Sequence, residues 1–154
     1  MKTTLVIFLI AAVSIAIYFF VLGKLSQSDK ATLLNQTRLS ACPNKPNCLC
    51  SEYKTDVSHY ISPIALNAAN ANQQFSILKK SIINMHGEIQ HASNNYLSAT
   101  FKSSIFGFVD DLEARLDTEN NLIQLRSASR VGHSDFGANR KRIETLKLIY
   151  QESL

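Results

Sequence analysis

The stretch Asp110-Asp-Leu-Glu-Ala-Arg-Leu-Asp-Thr-Glu-Asn-Asn-Leu-Ile-Gln-Leu-Arg-Ser-Ala-Ser129 decides the fold. Leu112, Ala114 and Leu116 alternate with Asp111, Glu113, Arg115 and Asp117, and Ile123 and Leu125 alternate with Leu122, Gln124 and Arg126. A period of two marks half-buried strands, and the polar run Thr118-Glu119-Asn120-Asn121 joins them as a hairpin. Centring the register on that turn sets Leu116 opposite Ile123, Ala114 opposite Leu125, Leu112 opposite Ser127 and Asp110 opposite Ser129. Asp110, Ser127 and Ser129 then share the core-facing side, where polar groups require partners. On the other face Glu113 lies across from Arg126, a cross-strand ion pair worth little by itself.

Upstream, Leu97, Ala99 and Phe101 alternate with Tyr96, Ser98, Thr100 and Lys102, and Ser93-Asn94-Asn95 turns into them from a strand at Glu88–Ala92. Phe75, Leu78, Ile82 and Met85 form one stripe at helical spacing, which predicts a helix capped by Asn70 or Asn72 and running to about His86. Gly87 stands where such a helix ends. His59-Tyr-Ile-Ser-Pro-Ile64 reads as a short extended segment suited to a sheet edge. After Asn139, Ile143, Leu146 and Tyr150 share one face of a last helix. The order predicts an α+β fold: an N-terminal transmembrane helix, then an antiparallel meander with two helices on one sheet face.

Every residue from 5 to 22 is apolar except Ser14. Eighteen residues at helical rise cover about 27 Å, close to the hydrocarbon thickness of a bilayer. A domain this small has no room to bury a helix that is apolar on every side. A cleaved export signal is the competing reading, but the run is long for one and the cleavage sites after Gly23 or Ser28 are weak. The expected division is an anchor (or uncleaved signal) over 1–25, a polar tether over 26–41 and a single α+β domain over 42–154. Residues 4–23 contact the membrane in this reading, and the chain is a single-pass protein of the cell membrane. Lys2 on one side and Lys24, Lys30 and Arg38 on the other leave the charge rule for orientation undecided. Cysteine usage argues for an extracytoplasmic domain.

With 45% hydrophobic and 18% charged residues the chain is globular rather than disordered. The net charge of +4 is carried by scattered cations rather than a dense basic stripe, which excludes nucleic acid as an expected partner. No cofactor motif is present.

Cys42-Pro-Asn-Lys-Pro-Asn-Cys48-Leu-Cys50 follows the tether. Two prolines and two asparagines force turns and bring the ends of the loop close, so a disulfide can close it in an oxidising compartment. Cys50 is then left over, either free or exchanging with Cys48. Cys42, Cys48, Cys50 and His59 are zinc-ligand types, yet the paired two-residue cysteine hooks are missing, so no metal is expected. A thiol-redox role for the three cysteines lacks the two-residue spacing as well.

Arg140, Lys141 and Arg142 fall where the last helix starts, and the helix dipole disfavours positive charge there. Something negative must offset them. Asp135 as a cap, with Asp110 or Asp111 in an internal Asp–Arg network, is one answer. An anionic ligand held by the helix start and the guanidinium groups is the other.

Three motifs, Cys42-Pro-Asn-Lys-Pro-Asn-Cys48, Phe106-Gly-Phe-Val-Asp-Asp111 and Arg126-Ser-Ala-Ser-Arg130-Val-Gly132 with Ser134-Asp135, Gly137, Asn139-Arg140 and Arg142, resemble domain-of-unknown-function family 1499. The likeness covers most of the chain after residue 40. It implies a single domain and a shared polar site at the motif arginines and aspartates, and it names no reaction. The family's first motif carries serine where this chain has Cys50, which sets Cys42 and Cys48 apart as the pair. Candidate ligand-binding residues are therefore Asp110, Asp111, Arg126, Ser127, Ser129, Arg130, Asp135, Asn139, Arg140 and Arg142. A non-enzymatic envelope domain that binds a small anion or a protein partner ranks first. A hydrolase using Asp110 or Asp111 with His133 as acid and base is the alternative.

Overall fold

The computed structural model describes residues 2–28 and 38–154. The first helix, α1, spans Lys2–Ser28, and the domain that follows is built from β1 (Cys48–Cys50), β2 (Ile64–Ala65), α2 (Ala71–Asn84), β3 (Glu88–Ala92), β4 (Tyr96–Lys102), β5 (Val109–Asp117), β6 (Leu122–Ser129) and α3 (Ala138–Glu152). All strand pairs are antiparallel, in the order β1-β6-β5-β4-β3, with β2 also pairing to β6. This is an α+β fold with an open six-stranded sheet.

The β5–β6 register is the one the turn dictates: Leu116 faces Ile123, Ala114 faces Leu125, Leu112 faces Ser127, and Asp110 faces Ser129. Side chains alternate across a strand, so Leu97, Ala99, Leu112, Ala114, Leu116, Ile123 and Leu125 point to one face. There they pack against Phe75, Leu78 and Ile82 of α2 and Ile143, Leu146 and Tyr150 of α3. Leu49 of β1 joins the same core.

The opposite face is also covered, which polar alternation does not reveal. Leu39, Cys50 and Tyr96 form a small second cluster with Cys42 and Tyr53 against it, and Glu113, Arg126, Gln124 and Ser51 are buried beside it. Residues of the entry segment thus pack on the sheet, beginning at least as early as Leu39, which is fully buried. The tether expected over 26–41 falls mostly on residues 29–37, outside the described residues.

Helix α1 continues to Ser28, and its last turns are docked on the β4–β5 loop. The Ser26 hydroxyl accepts from the Val109 amide at 3.0 Å, and the Gln27 side-chain amide donates to the Gly107 carbonyl at 3.0 Å. Gly23 makes the approach possible, because a Cβ there would lie 1.8 Å from the Phe106 carbonyl oxygen. Gly87 serves a similar end at the close of α2. The left-handed residue is His86 (φ 63°) rather than the glycine. A Cβ on Gly87 would sit 2.7 Å from both Ile82 and Phe101, so close packing of α2 on β4 explains the residue.

Leu112→Ala removes a side chain with no exposure from the middle of the α2–α3–sheet contact and is expected to lower unfolding free energy by about 2–5 kcal/mol. Leu148→Ala, on the solvent side of α3 at 61% exposure, is expected to change it by less than about 0.5 kcal/mol. Equilibrium urea unfolding of the two variants checks the assignment of core and surface.

Candidate functional site

At the open end of the β5–β6 hairpin, three successive carboxylates of β5 each meet an arginine. Asp110 accepts from Arg142 of α3 at 2.5 Å. Asp111 is held by both arms of Arg130, Nε to Oδ2 at 2.9 Å and Nη2 to Oδ1 at 2.8 Å. Glu113 accepts from Arg126 at 2.8 Å and from the Tyr96 hydroxyl at 2.8 Å. Alternation explains the layout: Asp110 points to the helix side of the sheet, Asp111 and Glu113 to the other. Burial pushes the Glu113 carboxyl above the usual carboxylate range, and the Arg126 charge opposes that rise. The cross-strand ion pair expected on that face is formed and is internal, with Glu113 and Arg126 both buried.

Neutral groups complete the corner. The Ser127 hydroxyl donates to Asn139 Oδ1 at 2.6 Å, and the Asn139 amide donates to Ser129 Oγ and to the Asn47 carbonyl, each at 3.0 Å. Arg142 also donates to Ser127 Oγ at 3.0 Å and to Asn139 Oδ1, and its guanidinium lies 4.9 Å from the centre of the Phe101 ring. The Asn47 side chain reaches the Gly132 carbonyl, which fastens the Cys42–Cys48 loop to the segment after β6. Arg130 adds a third bond, to the Ser26 carbonyl of α1 at 3.3 Å.

Asp135 acts as the cap of α3. Its carboxylate accepts from the Gly137 and Asn139 amides at 3.0 and 2.8 Å, because Gly137 at the cap position has no side chain to offer. Of the three cations at the helix start only Arg142 turns inward. Arg140 and Lys141 are exposed, and Arg140 has no carboxylate partner among the described residues. The sequence-predicted residues converge on this corner, but they divide into a mutually bonded network and, among the described residues, one guanidinium without a carboxylate partner.

Two clefts border the network. One, of about 410 Å³, lies between the 42–48 loop and the start of α3, and is lined by Lys45, His59, His133, Asp135 and Arg140 among others. His59 is tied at both ring nitrogens, to Asp56 at 2.8 Å and to the Lys45 carbonyl at 2.9 Å. The second, of about 480 Å³, is mainly apolar and sits against α1, with Tyr18, Phe19 and Leu22 facing Phe108, Val131 and Phe136. Asp110, Ser129 and His133 also border it. Lys45 and Asn47 were not picked out from the sequence as site residues. Their place inside the proline–asparagine loop between Cys42 and Cys48 is the signal that could have found them.

Cys42 and Cys48 form a disulfide across a Cα separation of 5.6 Å, and Cys50 is free and buried. Burial pushes the Cys50 thiol up to about 11, far from the range of a reactive thiolate.

These features define a small antiparallel α+β domain with a carboxylate–guanidinium layer at one end of its sheet and a disulfide-closed loop beside it. The chain belongs to the family described as protein of unknown function (DUF1499), whose model matches residues 38–148. That span contains the Cys42–Cys48 loop, the 106–111 motif and the arginine-rich 126–142 motif, which the fold brings to one corner. No curated protein and no solved structure matches the chain.

Asp111→Asn leaves the Arg130 guanidinium, 11% exposed in the wild type, without its charge partner. A loss of about 3–5 kcal/mol in unfolding free energy is expected, read by denaturant titration; a loss under about 1 kcal/mol means that the pair is not a structural one. For Cys50, the folded thiol is raised from 9.0 to about 11, so its stabilising contribution is fully present below pH 9 and is lost as pH rises through 11. Stability is expected to fall over that window and to fall less in Cys50→Ala. Maleimide at pH 8 should label the protein only after denaturation.

Proposed function

We propose that this protein is a membrane-anchored domain on the oxidising side of its membrane, and that it binds an anionic group in the cleft between the 42–48 loop and α3. Anchoring rests on α1, whose apolar window has a mean hydropathy of 3.0 and is unburied by the domain. Sidedness rests on the Cys42–Cys48 disulfide, a bond that persists in oxidising compartments.

The binding reading is carried by one observation. Arg126, Arg130 and Arg142 are each consumed by a carboxylate, whereas Arg140 and Lys45 face the same cleft with no carboxylate partner among the described residues. Asp135 borders the cleft too, but its oxygens are engaged by amides of the α3 start. A planar guanidinium and an ammonium converging on open space suit a phosphate or carboxylate group. The paired residues Asp110, Asp111, Arg126, Arg130 and Arg142, with Ser127, Ser129 and Asn139, act as the frame that holds this cleft. Binding fits better than acid–base catalysis, because Asp110 and Asp111 are bonded to arginines and His133 is exposed with no hydrogen bond among those described.

Titration of the full chain in detergent with inorganic phosphate, followed by phosphorus NMR, checks the reading. Arg140→Ala combined with Lys45→Ala is expected to weaken binding at least about tenfold, the equivalent of 1.4 kcal/mol, with no change in melting temperature. Equal affinity in the wild type and the double variant, or absence of binding to either phosphate or simple carboxylates, overturns it.

A further inference from the structure

We infer that the loops at 103–108 and 131–137 are a lipid-contacting rim, with Ile105 and Phe136 inserted into the interface of the same bilayer that α1 spans. This rests on the anchoring proposed above and adds a second surface to it.

Phe106 packs on Phe19 and Phe20 with ring centres 5.3 and 5.2 Å apart, and Phe108 lies 6.4 Å from Phe19. Phe19 and Phe20 precede Leu22, the end of the apolar run, by about 3–5 Å along the helix. The 103–108 loop is therefore level with the last apolar turn of α1, not beyond it. The Ser26, Gln27 and Gly23 contacts hold it there. The second loop reaches the same level, since Val131 and Phe136 share one cleft with Tyr18, Phe19 and Leu22.

What the loops present at that level is apolar. Ile105 is 71% exposed and Phe136 is 100% exposed. Phe136 also holds a left-handed backbone (φ 52°) between hydrogen-bonded Ser134 and Asp135 turns, so local bonds display the ring instead of folding it inward. A phenyl ring wholly in water has no favourable contact in the domain; at an acyl–headgroup boundary it has one. Tyr18, Phe19, Phe20, Phe106, Phe108 and Phe136 together make an apolar aromatic band at that level. Exposed Lys24, Lys102, Arg140 and Lys141 lie next to the band along the chain, suited to anionic headgroups. The lipid-facing surface of α1 and the rim are thus one continuous surface, and the lipid bilayer is the partner.

The chain contains no tryptophan, so single substitutions report on depth without interference. Full-length Phe136→Trp and Ile105→Trp, reconstituted in vesicles of phosphatidylcholine and phosphatidylglycerol, are expected to show blue-shifted emission and quenching by lipids brominated near the carbonyl end of the acyl chain. Leu148→Trp, exposed on α3, is the aqueous control, and Leu9→Trp, in the middle of α1, reports on spanning through lipids brominated deep in the chain. Quenching at Leu9→Trp with water-like emission at 105 and 136 overturns the rim while the anchor stands. A blue shift at 136 without lipid quenching points to a protein contact and overturns it as well. If Leu9→Trp is not quenched, the anchoring reading fails and the rim falls with it.

Discussion

A carboxylate taken out of water needs a positive partner or hydrogen-bond donors, and β5 carries three of them within four residues. Each is met by an arginine from a different part of the chain: Arg142 from α3, Arg130 from the segment after β6, and Arg126 from β6 itself. Much of the tertiary arrangement at that end of the domain follows from this. The Asp110 pair fixes where α3 begins relative to the sheet, and the Asp111 pair places a guanidinium within reach of α1. Glu113 orders the second face through Tyr96. Replacing such a layer by apolar side chains could give an equally stable domain, but not one in which three separate segments are directed to single positions.

The pairs also decide which charges are left for something else. Helical phase sorts the cations at the start of α3: Arg142 is four residues before Leu146 and three after Asn139, so it lies on the buried stripe, whereas Arg140 and Lys141 do not. The dipole at this terminus is already offset by the Asp135 carboxylate. Among the described residues Arg140 thus has no carboxylate partner because helical phase gives Asp110 to Arg142, just over half a turn away, not because the region as a whole is unsatisfied.

The hairpin register could be read residue by residue before any coordinates, since a polar turn between two alternating strands admits one centre and a one-residue slip would reverse every side chain. The α2 stripe and the family motifs were equally readable. Three features were not. Alternation says that a face is polar, not whether another segment covers it, so the burial of Glu113 and Arg126 beneath Leu39, Cys50 and Tyr96 had no signature. An arginine count cannot separate the paired from the free without the helix phase relative to the sheet. Docking of α1 rests on Gly23, Ser26 and Gln27 at the end of an apolar run, where the dominant signal is hydropathy.

That docking changes what α1 can do as the proposed anchor. A helix joined to its domain only through a flexible segment leaves the domain free to tumble, and the position of any cleft relative to the membrane is then undefined. Here the last turns of α1 bond to the 107–109 backbone, and Arg130 links the Ser26 carbonyl to Asp111. From Asp111 the connection continues through adjacent Asp110 to Arg142 and the start of α3. A path of hydrogen bonds and one stretch of β5 backbone therefore runs from α1 to the helix that presents Arg140. The orientation of α1 and the position of that cleft are thus linked, because α1 cannot shift on the domain without breaking its bonds to Gly107, Val109 and Arg130.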